Sequence, residues 1–275
     1  MDISFIILTW NSAGYLEKCL ASVVDALEDT GYSYEIHILD NGSQDGTPHM
    51  LQRLAQAHPD HIFPCYEAVN LGTTKSRNRL FAQARGKYLC VVDSDVELAH
   101  GVVDTLLPLV ANDRGIGIVA PRILYPSGAW QKSFDRFPTV FDKLNRFFRL
   151  REIEQREALQ IDTAMPPFAV DYVISAFWLM RREVLDSVGL LDERIFYSPE
   201  DVDFCLRVWK AGHRVVYAPA VSIIHHTQEI SRGFKLNRAK FSHVQGLMYY
   251  FMKHRYFLRR PIFLANQPTL MSANG

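Results

Sequence analysis

Short apolar runs and amphipathic stretches take turns along the first hundred residues. Ile3 to Leu8 is a run fit for a central strand, closed by the polar Thr9-Trp10-Asn11-Ser12. Leu16, Cys19, Leu20, Val23, Val24 and Leu27 then recur at helical spacing as one apolar stripe. A second strand, Glu35 to Leu39, ends in Asp40-Asn41-Gly42-Ser43-Gln44-Asp45-Gly46, where Thr47 can cap a helix with Pro48 at its first position. A third, near Ile62 to Tyr66, leads through Asn70-Leu71-Gly72 to a helix carrying Lys75, Arg77 and Asn78, which Gly86 stops. The fourth, Tyr88-Leu89-Cys90-Val91-Val92, reads as a buried strand and finishes at Asp93-Ser94-Asp95. This alternation predicts a parallel α/β sheet with right-handed crossovers.

The second half is less regular. Ile116 to Pro121 gives a fifth strand and Tyr125-Pro126-Ser127-Gly128 a turn. From Gln131 to Gln160 the rhythm breaks, and Phe141, Leu144, Phe147 or Phe148 and Leu150 predict a helical insertion, basic on one side. Val170 to Met180 is apolar, with Ser175 and Trp178 inside it, and Glu183 to Val188 makes a short helix ended by Gly189. Ser198-Pro199 starts another, with Val202, Cys205, Leu206 and Trp209 as its buried stripe and Gly212 at its end. Strands over Arg214 to Tyr217 and Val221 to Ile224 then bring the chain to His225-His226.

Composition adds to this picture. With 48% hydrophobic residues, 275 residues bury a large core, as one domain or one domain with an appendage. The 30 basic and 30 acidic residues balance, which removes any global pull toward nucleic acid. The balance is uneven: no acid follows Glu229, whereas Arg232, Lys235, Arg238, Lys240, Lys253, Arg255, Arg259 and Arg260 do. Cys19, Cys65, Cys90 and Cys205 are scattered in mostly apolar surroundings and read as buried thiols in a reducing compartment. No apolar run reaches membrane-spanning length and a strand begins almost at the first residue, so a cytoplasmic protein is the expectation.

The candidate chemistry collects at strand ends. Asp93 and Asp95, at i and i+2 in an extended chain, face the same way and can converge on one cation, Mg²⁺ or Mn²⁺ by their hard oxygens; taken alone, the pair reads more readily as a solvated surface loop. Asp40 and Asn11 can hydrogen-bond a base with Trp10 packed near it, although Asp40-Asn41-Gly42 is also a plain turn. Arg77 suits a diphosphate or a solvated helix face. Glu200 and Asp201 lie in a helix's first turn, where its dipole favours carboxylates whatever they do. His225 is a candidate metal ligand or a structural strand-end group.

The motifs Asp40-Asn41-Gly42-Ser43-x-Asp45-Gly46-Thr47, Asn70-Leu71-Gly72, Arg77-Asn78 and Asp93-Ser94-Asp95, in this order, resemble the nucleotide-sugar half of glycosyltransferase family 2. Val188-Gly189-x-Leu191-Asp192-Glu193-Arg194, Glu200-Asp201-x-Asp203-x-Cys205-x-Arg207 and Ile224-His225-His226 resemble its bacterial rhamnosyltransferase-like branch. The resemblance implies a GT-A fold, a Rossmann-like and mostly parallel sheet flanked by helices. It implies inverting transfer from a nucleoside-diphospho sugar to a saccharide or lipid-linked acceptor in surface polysaccharide or glycolipid assembly. Carried over residue by residue, it gives Thr9, Asn11 and Asp40 the base and ribose, with Trp10, Asn41, Arg77, Asn78, Asp93 and Ser94 also on the donor. Asp93, Asp95 and His225 become the metal site, and of Glu200 and Asp201 the base best matches Asp201. Thr73-Thr74-Lys75 after Asn-Leu-Gly, and Ser198-Pro199 before Glu200, depart from the family pattern.

The expected organisation is a GT-A domain over 1–230, divided into a donor half (1–98) and an acceptor half (99–230) with the insertion at about 131–165. A basic, aromatic helical tail follows over 231–275. A sugar-nucleotide-binding or scaffold protein without transferase activity is the alternative from another class, and a nucleotidyltransferase is disfavoured because Thr9-Trp10-Asn11-Ser12 replaces a Gly-rich basic loop. Basic residues around Leu247-Met248-Tyr249-Tyr250-Phe251-Met252 suit an interfacial helix at the inner face of the plasma membrane, or aromatics packed on the sheet or on a second copy of the chain.

Overall fold

The computed structural model describes residues 1–263, apart from 29, 141, 143–151, 153, 156, 159–160 and 228–237. Four parallel strands, β1 (Ile3–Thr9), β2 (Tyr34–Asp40), β3 (Ile62–Tyr66) and β4 (Tyr88–Asp93), stand in the order β3-β2-β1-β4. They are linked through α1 (Leu16–Asp25), α2 (Thr47–Ala57) and α3 (Thr73–Gln83). The order reverses between β1 and β4, the switch point at which open α/β sheets hold ligands.

The unbroken apolar runs have a direct cause, which is burial on both faces. Ile3, Phe5 and Ile7 of β1 and Cys90 and Val92 of β4 enter one apolar cluster with α1, α2 and α4 (Val102–Asn112). Ile6, Leu89 and Val91 enter the opposite cluster with Leu80 and Phe81 of α3. To that second face also belong α5 (Arg182–Val188), α6 (Glu200–Lys210) and α7 (Arg238–His254), the last through Tyr250 and Phe251.

Beyond β4 the sheet is mixed. β11 (Phe177–Arg181) runs antiparallel between β4 and β6 (Ile116–Leu124), and β12 (Arg214–His225) runs parallel to β6. The short β5 (Val96–Leu98) closes antiparallel on β12. Apolar runs do not encode direction, since either pairing satisfies the backbone. The run Val170 to Met180 divides between β9 (Phe168–Val170), β10 (Tyr172–Val173) and β11. The two strands expected over 214–224 are one, with a register break between Ala218 and Ser222, where Pro219 has no amide hydrogen to give. The insertion opens as β7 (Trp130–Gln131) and β8 (Phe134–Asp135); Phe141, Leu144, Phe147, Phe148 and Leu150 lie outside the described residues, as do Arg232 and Lys235. Thr47 is not the helix cap: Gly46 precedes α2, and Thr47 Oγ1 instead accepts from the Ser12 amide at 2.8 Å.

Candidate active site

Register brings the strand-end residues to one edge. Thr9 lies opposite Asp40, and Leu8 opposite Asp93. The antiparallel pairing of β5 sets His225 opposite Val96, beside Asp95. One oxygen each from Asp93 and Asp95 and one ring nitrogen of His225 fall within 4.8 Å of one another. His225 Nε2 is 3.3 Å from Asp95 Oδ1, while Nδ1 is 3.2 Å from Gln131 Oε1. An amide oxygen can only accept, so His225 Nδ1 donates to Gln131 and the ring is held with Nε2 toward the Asp95 carboxylate. The two carboxylates and that ring nitrogen thus stand close enough to share one cation. Two carboxylates and an imidazole suit Mn²⁺, and less closely Mg²⁺.

Arg77 is buried, not on a solvated face. Its Nη2 donates to Asp93 Oδ1 at 2.5 Å and to the Ser175 carbonyl at 3.2 Å, and Nη1 reaches Glu200 Oε1 at 3.5 Å. It thereby ties the Asp-x-Asp strand end to the start of α6. Burial pushes the Asp93 carboxyl above its ordinary range, with Arg77 opposing and Asp95 adding to the shift. Burial, reinforced by the Asp201 charge, pushes Glu200 up to about 8 against Arg77 and the 2.8 Å bond from Ser175. Asp201 is half-buried and accepts from the Val202 amide at 2.8 Å.

The sequence profile described as Glycosyl transferase family 2 matches residues 4–189. The chain belongs to that family. Among curated relatives, the N-acetylglucosaminyl-diphospho-decaprenol L-rhamnosyltransferase of Mycobacterium tuberculosis is 27% identical over 247 residues, 80% of this chain and 75% of its own length. The pre-mycofactocin glycosyltransferase of the same species is 27% identical over 224 residues, 82% of this chain but 42% of its own length. The structure of GalNAc-T7 with UDP, GalNAc and Mn²⁺ superposes with a TM-score of 0.68 at 17% identity, over 91% of this chain and 47% of that one. The mannosyltransferase PcManGT of Pyrobaculum calidifontis, in complex with GDP-Man and Mn²⁺, gives 0.65 at 19% identity, over 94% of this chain and 65% of that one. The fold is GT-A, and this chain spans about half to two thirds of those two solved chains.

In this family 2 glycosyltransferase several residues expected on the donor are engaged with the protein. Asn41 accepts from the Leu71 amide at 2.8 Å and donates to Asn70 Oδ1 at 2.9 Å. Asn78 holds the Leu191 backbone from both sides, at 2.9 and 3.0 Å. Asn11 adopts a left-handed φ of 51° and accepts from the Gln44 amide, joining two strand-end loops. Asp40 accepts from Ser43 Oγ at 2.5 Å, and Ser94 Oγ meets Ser12 Oγ at 2.9 Å. Trp10 is half-buried, and Thr9 is fully buried with its hydroxyl unpartnered among the described residues. Gln131 and Ser175 were missed as site residues. Ser175 left a signal as a lone hydroxyl in an apolar run; Gln131 left none.

Two glycines let distant segments close on the 196–199 loop. The Thr73 amide donates to the Phe196 carbonyl at 2.7 Å, and a Cβ on Gly72 would lie 2.3 Å from that same oxygen. On the other side a Cβ on Gly246 of α7 would lie 2.3 Å from the Ser198 carbonyl oxygen. Below this loop sits a second carboxylate group. Asp203 binds Lys253 Nζ at 2.6 Å, His254 Nε2 at 2.8 Å and Arg207 Nε at 2.9 Å. Asp192 binds Arg194, Lys253 and Tyr249.

Proposed function

We propose that this glycosyltransferase transfers a sugar, with inversion, from a nucleoside-diphospho sugar to an acceptor hydroxyl. The observation that carries the reading is the Asp93–Asp95–His225 cluster, joined through Arg77 to the carboxylates that open α6. A divalent cation bound by the cluster would offset charge on the departing diphosphate. Gln131 orients His225, and Arg77 orients Asp93 while steadying Glu200. Asp201, the more exposed of its pair, is the general base: it takes the acceptor hydroxyl proton as the acceptor oxygen bonds to the anomeric carbon. The bond from that carbon to the diphosphate oxygen breaks with its electron pair, so nucleoside diphosphate leaves and the centre inverts in one displacement. Glu200, neutral up to about pH 8, is a weaker candidate for base at neutral pH.

A rhamnosyl donor and a lipid-linked saccharide acceptor are the finer reading, supported by the mycobacterial relative, whose name carries both. Calorimetry with UDP, GDP and dTDP tests the donor site. Affinity should require Mn²⁺ or Mg²⁺ and disappear in EDTA and in Asp95→Ala; unchanged binding in either would refute the metal-dependent reading. Thermal stabilisation across a panel of nucleotide sugars then identifies the donor, because the preferred ligand raises stability by mass action.

A further inference from the structure

The outer face of α7 is apolar and open. Val244, Met248 and Met252, spaced at i, i+4 and i+8 on one side of the helix, are 55%, 60% and 59% exposed. The chain that follows adds Phe257, Leu258 and Ile262, at 49%, 65% and 75%. Six of the fourteen exposed large apolar residues among those described thus fall between 244 and 262, a concentration that isolated surface apolars do not produce. The aromatics that drew attention in the sequence are elsewhere: Tyr250 and Phe251 point into the core, and Tyr249 binds Asp192. The exposed stripe therefore adds nothing to the packing of α7.

The charges around it have one sign. Arg255 and Arg259 are exposed, and no acidic residue follows Glu229. Lys253 and Arg260 are committed inward, to Asp192 and Asp203 and to Asp142. A symmetric dimer through this face would set two such patches together and bring cations against cations with no acid within either patch. An apolar stripe flanked by uncompensated arginines matches a surface with an apolar interior and an anionic face. We propose that α7 and the chain to Ile262 dock this protein on anionic membrane lipid, Met248 and Met252 entering the acyl boundary while Arg255 and Arg259 meet headgroups. Among the described residues no helix is long and apolar enough to cross a membrane, so the docking is peripheral.

Co-sedimentation of the full chain with phosphatidylcholine vesicles, with and without phosphatidylglycerol, tests this at low and high salt. Binding should need the anionic lipid and weaken with salt. Met248→Glu/Met252→Glu should abolish it, and Arg255→Ala/Arg259→Ala should lower the partition coefficient roughly tenfold or more. Melting temperature and nucleoside diphosphate affinity report the fold and donor site of each variant and should not move. Absence of binding at low salt, equal binding to neutral vesicles, or a double glutamate variant that binds like the parent each overturns the proposal. So does a sedimentation-velocity dimer that the glutamates dissociate while vesicles capture nothing.

Discussion

Two carboxylate groups flank the same helix, and they are balanced in opposite ways. On the sheet-edge side, Asp93 and Glu200 share the Arg77 guanidinium, Asp93 and Asp95 gather with the His225 imidazole, and Asp201 stands next to Glu200. Below the loop, Asp203 has Arg207 and His254 to itself and shares Lys253 with Asp192. Protonation follows the balance. Burial lifts Asp93 and Glu200 above their ordinary values, whereas at Asp203 burial is outweighed by His254, Arg207 and Lys253, and the carboxyl is held low. A fully compensated group has nothing left to offer a ligand and serves the fold. A group short of positive charge costs folding free energy by itself and is relieved when a cation arrives. The charge deficit, more than the presence of acids, separates the site from its structural counterpart.

Substitutions on either side can break this contrast. The largest effect is expected at Asp201→Asn, with turnover down by roughly two to four orders of magnitude and donor affinity retained, read by steady-state kinetics and calorimetry. If Glu200→Gln is inactive and Asp201→Asn is not, the two roles are reversed. Asp203→Asn should instead leave Arg207 and His254 without their carboxylate and Lys253 with Asp192 alone, and cost about 3 kcal/mol in urea unfolding, with any loss of activity following the loss of fold. Gln131→Leu removes the hydrogen-bond partner that orients the His225 ring, and Mn²⁺ affinity should fall by about 10- to 100-fold while the melting temperature of the EDTA-treated protein stays put.

The smallest signal is a slope. With a folded pKa of about 8 against an ordinary 4.5, Glu200 binds its proton more tightly in the folded state. Its contribution is complete below the ordinary value and is lost as pH rises through about 8, by at most ~1.4 kcal/mol per pH unit. Stability in EDTA measured from pH 5 to 8 should therefore decline less steeply in Glu200→Gln than in the parent. Asp203 has the opposite sign: its low folded pKa contributes stability above the ordinary 3.8 that disappears as pH falls further.

The sequence makes the strand-end edge readable because parallel strands with apolar runs all present their carboxyl ends together. That is how Asp40, Asp93 and Asp95 could be placed before any coordinates. It left Arg77 of α3 open between a diphosphate and a solvated face for an equally physical reason. Thr73-Thr74-Lys75-Ser76-Arg77-Asn78 looks like a wetted face, yet all but Lys75 are buried, because backbone carbonyls of Ile195 and Leu191 and the Asp93 carboxylate stand opposite them. A polar residue matched by a distant partner is indistinguishable, in one dimension, from one matched by water. Strand direction after β4 was hidden likewise, since Phe177 to Met180 is apolar whichever way it runs.

The 196–199 loop held between Gly72 and Gly246 has a consequence for anyone recombining this chain with its relatives. A position early in the sequence and one near its end approach backbone carbonyls two residues apart in the same loop, each permitted only by a missing side chain. A chimera that imports the C-terminal helix with alanine at 246 would strike the Ser198 carbonyl, and one that imports the segment ahead of α3 with alanine at 72 would strike that of Phe196. The α3 segment, the loop and the last helix are therefore inherited as one unit. A crossover placed between them should yield hybrids that fold poorly even where every imported segment is sound in its own parent.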